Sequence, residues 1–357
     1  MATTRDRYID FIRALALVRV VVYHSLHNLA WLTIAFPSMG VMFALAGSLM
    51  AASLDRTGIV SVRRRLRRLL PPLWVLAVVA ISIMLVVGWS SNEGDQPNSL
   101  RMLFWVLPVA TPPSTGWGVP FVVTLWYIST YLWLVLLSPL LLPLFRRVPL
   151  LAMALPFGVL LALEAGLKLP GTVAQVVYQV CTYAGCWLLG FAHHDGLLQR
   201  LRMSVVVPVV IAMVEVAAYF VLTDPDPQRF DLSNVPTGNA FFSTAFVLVL
   251  LRFRPSMAWL ARLPRLDRLI SVLNGRAVTI YLWHNPAIFA ISIFFGVVSV
   301  DTDTFGGTML LLGLVAWLTT MAVLIFGWVE DIAARRPPQL IPTPPRRAPA
   351  TRAPARV

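Results

Sequence analysis

An all-α, polytopic membrane protein with about ten transmembrane helices and both termini in the cytoplasm is what the sequence predicts, on three observations. Of its 357 residues, 58% are hydrophobic and only 13% charged, with a mean hydropathy of +0.76, which is more apolar surface than one soluble core can bury. The apolar residues fall in stretches close to the roughly twenty residues a helix needs to cross a bilayer. The basic residues alternate sides, as the positive-inside rule demands. With the N-terminus inside, the cytoplasmic connections hold Arg5, Arg7, Arg56, the cluster Arg63 to Arg68, Arg146, Arg147, Arg200, Arg202, the run Arg252 to Arg268 and the tail. The outer connections keep only Arg101, Lys168 and Arg229 and collect Glu93, Asp95, Asp224, Asp226, Asp231, Asp301 and Asp303. The net charge of +13 thus follows topology and does not call for nucleic acid.

The spans are placed at 8–27, 30–52, 71–90, 121–145, 149–167, 172–193, 203–222, 238–252, 274–297 and 307–329. Arg13 and Arg19 interrupt the first and no small-residue cleavage site bounds it, so it reads as a retained helix. A very short turn near His27 and Asn28 leads to the second span. The third follows a basic loop, Ser61 to Trp74. The outer segment 90–120 contains an apolar stretch, Leu103 to Ala110, too short to cross, which lies on the surface or dips back as a lid. Cys181 and Cys186, five residues apart in the sixth span, point to different faces and imply neither a disulfide nor a metal site. Residues 223–238 combine Asp-Pro turn chemistry with acidic charge. The transmembrane domain is assigned to 1–334. Residues 335–357 alternate Pro with Arg and small residues, and read as a disordered cytoplasmic tail.

The first span carries an ionic face. Eleven helical steps return Arg13 and His24 to nearly the same side, about 16 Å apart along the axis, and Asp10 falls on that side too. An arginine at bilayer depth costs at least about 2.5–3.5 kcal/mol, so the stripe reads by default as a functional face toward the bundle interior, the alternative being helix ends that snorkel to opposite interfaces. His24 can take a proton from a hydroxyl, and Arg13 can offer parallel donors to a phosphate or carbonyl. Asp10 and Arg13 could also form a self-neutralising i,i+3 pair. The arginines before the third span suit anionic lipid or a phosphate-rich carrier such as coenzyme A. In the ninth span Tyr281 and His284 sit one turn apart before Pro286, either satisfying each other or forming the polar wall of a cavity. Glu164 and Glu215 are the remaining carboxylates near spans.

Arg7-Tyr-Ile-Asp-Phe-Ile-Arg-Ala-Leu-Ala-Leu with Val22-Tyr-His24 is similar to the first-helix signature of the acyltransferase 3 family, in which ten residues separate an arginine from a histidine. Val41-Met-Phe-Ala-Leu-Ala-Gly-Ser-Leu, the basic stretch ending at Pro71 and Trp74, Trp126-Tyr-Ile-Ser with Leu136-Leu-Ser-Pro139, and Ile280-Tyr-Leu-Trp-His-x-Pro286 follow in that family's order. The chain therefore resembles these multispan membrane acyltransferases over nearly its whole length. The resemblance implies an acyl-CoA co-substrate, most often acetyl-CoA; no bound cofactor is expected, and no metal-ligand spacing is present in the sequence. It makes His24 the base and Arg13, with Asp10, its donor-side companion. Arg63, Arg64, Arg67 and Arg68 would meet the coenzyme A phosphates, and Trp126 and Ser129 would join Tyr281 and His284 around a cavity. Tyr131 and Leu132 stand where many members carry paired glutamates, Ala46 replaces a serine, and Ala277 and Val278 replace a Ser-Tyr pair.

The expected function is transfer of an acyl, most simply acetyl, group from cytoplasmic acyl-CoA to a hydroxyl of a sugar, glycan or glycosylated small molecule. It would take place in the plasma membrane, with segments 90–120 and 223–238 selecting the acceptor. A transporter or flippase with a buried Arg/His path is the alternative from another class. A membrane subunit feeding acyl groups to a separate enzyme is a third reading.

Overall fold

A computed structural model describes residues 6–26, 28–89, 99–253 and 255–342. Expectations placed on Arg5, His27, Glu93, Asp95, Arg254 and residues 343–357 lie outside the described residues. Helices account for all regular structure among the described residues. They are α1 (Arg7–Ser25), α2 (Ala30–Ala35), α3 (Ser38–Thr57), α4 (Val60–Val87), α5 (Val119–Val122), α6 (Leu125–Arg147), α7 (Pro149–Glu164) and α8 (Gly171–His194). After these come α9 (Leu197–Arg200), α10 (Met203–Thr223), α11 (Pro236–Arg252), α12 (Pro264–Gly275), α13 (Ala277–Val298), α14 (Phe305–Phe326) and α15 (Trp328–Ala333). Six are long and apolar enough to cross a membrane, counting α2 with α3 as one: α2–α3, α4, α6, α10, α13 and α14. α7 is apolar but shorter.

Local chemistry sets the helix boundaries. The Asp6 carboxylate caps α1 by accepting from Tyr8 N and Ile9 N, and Pro149, Pro236 and Pro264 open α7, α11 and α12, where the missing N–H costs nothing. Pro37 breaks the expected second span into α2 and α3. The basic stretch expected as a loop is helical: Arg63 to Arg68 occupy the first turns of α4, because Arg and Leu are good helix formers. Residues 335–342, assigned to a disordered tail, lie against the bundle, where Arg276 donates to the Gln339 carbonyl.

α3 and α8 form the most extensive helix contact and sit at the centre, whereas α10 and α14 present apolar side chains outward. Small residues permit the central crossing. A Cβ at Gly190 would overlap the Ala44 carbonyl and stand 2.6 Å from Ser48 N. Gly190→Ala is therefore expected to cost about 3 kcal/mol, read from thermal unfolding of the purified protein. Gly158, in α7, faces open space, and Gly158→Ala should gain about 0.5–1 kcal/mol through helix propensity alone.

The bundle has two chemically different ends. At the basic end, Arg146 donates to both Asp55 and Asp195, with distances of 2.7–2.9 Å, and His194 Nε2 lies 2.9 Å from Asp55. These contacts join the last turns of α3, α6 and α8. At the opposite end, Tyr23 donates to Asp231, and Leu232 N donates to Thr33 Oγ1 at 3.1 Å, fastening the 223–238 segment to α1 and α2. The apolar stretch at 103–110 dips back: Trp74 donates to Val106 O and Trp133 to Val109 O, both at 2.8 Å.

Candidate functional site

α1 places Arg13 and His24 on the interior side of the bundle at different depths. Arg13 is half-buried and makes no hydrogen bond or ion pair among the described residues, with Tyr127 and Glu330 in electrostatic reach. Its guanidinium can therefore donate to an incoming oxygen ligand. Asp10 sits nearer the basic end, where it pairs with Arg7 at 3.2 Å and its carbonyl accepts from Asn274 at 2.8 Å.

His24 ends α1 at the opposite end. Asn28 adopts φ +59°, a left-handed conformation that asparagine tolerates better than most residues, and its side chain lies beside the His24 ring. The His284 ring stands 5.3 Å from that of His24, centroid to centroid. His284 has no exposed surface. Its Nδ1 donates to the Tyr281 carbonyl at 2.6 Å, which leaves Nε2 as a buried acceptor with no partner among the described residues. Tyr281 and His284 thus do not satisfy each other's side chains, since the Tyr281 hydroxyl donates instead to Thr124 O at 2.8 Å.

From His284 a file of rings runs toward the basic end. Tyr281 lies 5.6 Å from His284 and 4.8 Å from Tyr127, and Tyr127 lies 6.4 Å from Tyr131. The Tyr131 hydroxyl accepts from Arg65 at 2.9 Å. Trp126 stacks on Tyr183 at 5.5 Å beside this file, and the buried Ser129 hydroxyl has no hydrogen-bond partner among the described residues. His24 and Arg65 are thereby linked through contiguous side chains of α1, α13, α6 and α4.

Of the arginines singled out in the basic stretch, Arg63, Arg64 and Arg68 are exposed, and Arg67 is half-buried and donates to Ala333 O at 3.3 Å. Arg65, not singled out, is the one that reaches the ring file. Its helical register was the available signal, for it lies on the stripe of buried Val62, Leu69, Leu73 and Leu76. Also missed were Arg276, which is fully buried and donates to Asp331 at 2.7 Å, and Glu330, which accepts from Thr279 N at 2.6 Å and Thr279 Oγ1 at 2.5 Å at the start of α13. Glu215 is exposed and Glu164 accepts from Thr237 at 2.7 Å, so neither joins the site.

Burial pushes the Glu330 carboxyl above the ordinary carboxylate range. The folded state holds that proton more tightly than the unfolded chain, so stability falls as pH rises from the unfolded value near 4.3 through the folded one. Glu330→Gln keeps an acceptor for Thr279 and should flatten that fall in a melting-temperature profile against pH.

A cleft of about 500 Å³ opens beside His24, between the ends of α1 and α13 and the start of α14. Another, of about 360 Å³, lies at the basic end. It is lined by Asp6, Arg7 and Asp267 and is too acidic to suit a polyphosphate. The ligand-type group Asp55, His194 and Asp195 is already spanned by the Arg146 guanidinium.

A family model described as an acyltransferase domain matches residues 6–328. No match was found among curated proteins or among solved structures.

Proposed function

Because the chain belongs to the acyltransferase 3 family, we propose that it is a membrane O-acyltransferase that moves an acetyl group from acetyl-CoA, bound at the basic and cytoplasmic end, to a hydroxyl of a sugar, glycan or glycosylated small molecule at the His24 end. The observation that carries this reading is the position of His24: beside the unpaired Nε2 of His284, at the edge of a cleft and at the far end of a ring file that begins at Arg65.

In the proposed reaction His24 removes the proton of the acceptor hydroxyl as its oxygen attacks the thioester carbonyl. The tetrahedral intermediate expels the coenzyme A thiolate, and the imidazolium returns the proton to it. Direct transfer needs only this base and an oriented thioester. Arg13 lies about 16 Å away along α1, too far to touch the same carbonyl, so its role is to hold the pantetheine arm or a phosphate. No metal or bound cofactor is required for this sequence of steps. The plasma membrane, with both termini inside, is the proposed setting, and anionic lipid headgroups are proposed neighbours of the exposed arginines.

Arg65→Ala is expected to raise the KM for acetyl-CoA about tenfold, because a half-buried, ring-anchored guanidinium is lost. Arg63→Ala and Arg64→Ala, at exposed positions, should change it by less than about threefold. The reading as a whole is tested by following label from acetyl-CoA into glycans by purified protein without any ion gradient. Label transfer supports it, and transport activity without acetyl-CoA consumption would replace it with the transporter reading.

A further inference from the structure

We infer that the cleft beside His24 is the acceptor subsite and that it is built for a hydroxyl-rich ring, with Ser25, Ser292 and Asp301 reading the hydroxyls. This deepens the transferase reading and rests on it. The lining is mixed. Ile288, Phe295 and Leu311 supply apolar surface, and Phe295 and Leu311 belong to a packed cluster with Ile291 and Val315. Acceptors stand among them. Ser25 Oγ donates to Val21 O at 2.8 Å and Ser292 Oγ to Ile288 O at 3.0 Å, so each hydroxyl has committed its proton and presents lone pairs to the cleft. Asp301 accepts from Asp303 N through Oδ1 at 2.9 Å, and its other carboxylate oxygen has no partner among the described residues. A ligand that fits must bring both hydroxyl donors and apolar ring surface, which is the chemistry of a pyranose ring.

The turn that carries Asp301 is preorganised. Thr304 Oγ1 donates to Asp301 O at 3.0 Å, Gly307 N donates to Thr304 Oγ1 at 3.1 Å, and Thr308 Oγ1 donates to Thr302 O at 2.8 Å. Rigid acceptors of this kind lower the ordering cost of binding. The described parts of 90–120 and 223–238 do not line the cleft, and Asp231 is committed to Tyr23 and Ser233. Acceptor choice therefore lies with the α13–α14 turn.

The test uses the full-length protein in lipid nanodiscs carrying Thr302→Cys, a position that lines the cleft. The rate of maleimide labelling at this cysteine is measured against methyl glycosides of glucose, galactose, mannose and rhamnose, with cyclohexanol as the control and wild-type labelling subtracted. At least one glycoside is expected to slow labelling threefold or more while cyclohexanol does not. Adding Asp301→Asn should raise the half-protecting concentration about tenfold with an unchanged melting temperature. No protection by any glycoside, or equal protection by cyclohexanol, would overturn the inference. Wild-type acetyl-CoA turnover is measured in parallel. Turnover without protection removes the subsite alone, whereas protection without turnover removes the transferase reading and leaves a sugar-binding cleft.

Discussion

His24→Ala is expected to lower acyl transfer by about 10²–10⁴-fold, the range that general-base catalysis supplies. Among the described residues of the ring file and its end, the imidazole is the ring that lines the 500 Å³ cleft. Its replacement leaves the main packing of α1 in place, since that helix is fixed through Ile12, Ala16, Leu17 and Val20. The variant should therefore insert and melt like wild type. Added imidazole should restore part of the rate, which loss of a merely structural histidine would not permit. Full turnover in His24→Ala would remove the residue from the chemistry.

The largest effect on stability is expected for Asp331→Ala. Arg276 is fully buried and its ion pair with Asp331 is 2.7 Å long, while its Nε and Nη1 already lack partners among the described residues. Removing the carboxylate leaves a buried guanidinium with no opposing charge in contact and the Gln339 carbonyl as its remaining hydrogen-bond acceptor, a loss of about 3–5 kcal/mol. Arg276→Met combined with Asp331→Leu removes both charges and should recover most of that loss, since an apolar pair of similar volume replaces a buried ion pair at little cost. Thermal unfolding of the three proteins decides the point. A cost below about 1 kcal/mol for Asp331→Ala would mean that solvent reaches Arg276.

Helix positions are legible because each needs only a run of apolar residues, and each expected span overlaps a helix. The break at Pro37 and the helical character of Arg63 to Arg68 are not, for local reasons. Pro37 lies inside a continuous apolar stretch that hides the interruption, and the dense charge of the arginine cluster is more typical of a connection than of a helix start. The alignment of Arg13 with His24 follows from helical periodicity alone. What the sequence does not show is which distant residues each meets. Tyr23 with Asp231, Asn274 with Asp10, and Arg276 with Asp331 are tertiary pairs separated by 208, 264 and 55 positions, and no periodicity within one helix encodes them. The cleft-lining turn at 299–302 is hidden for the same reason, since nothing in Ser-Val-Asp-Thr points to His24.

Binding and turnover of radiolabelled acetyl-CoA by the detergent-purified protein, comparing wild type with Arg13→Ala and His24→Ala, is the most direct measurement. An acyl-CoA enzyme requires saturable binding by wild type, slow loss of the acetyl group that depends on His24, and binding weakened at least tenfold by Arg13→Ala, the cost of one charge-assisted contact. Absence of wild-type binding at any concentration would contradict acyl transfer from acetyl-CoA and leave the family fold serving another task.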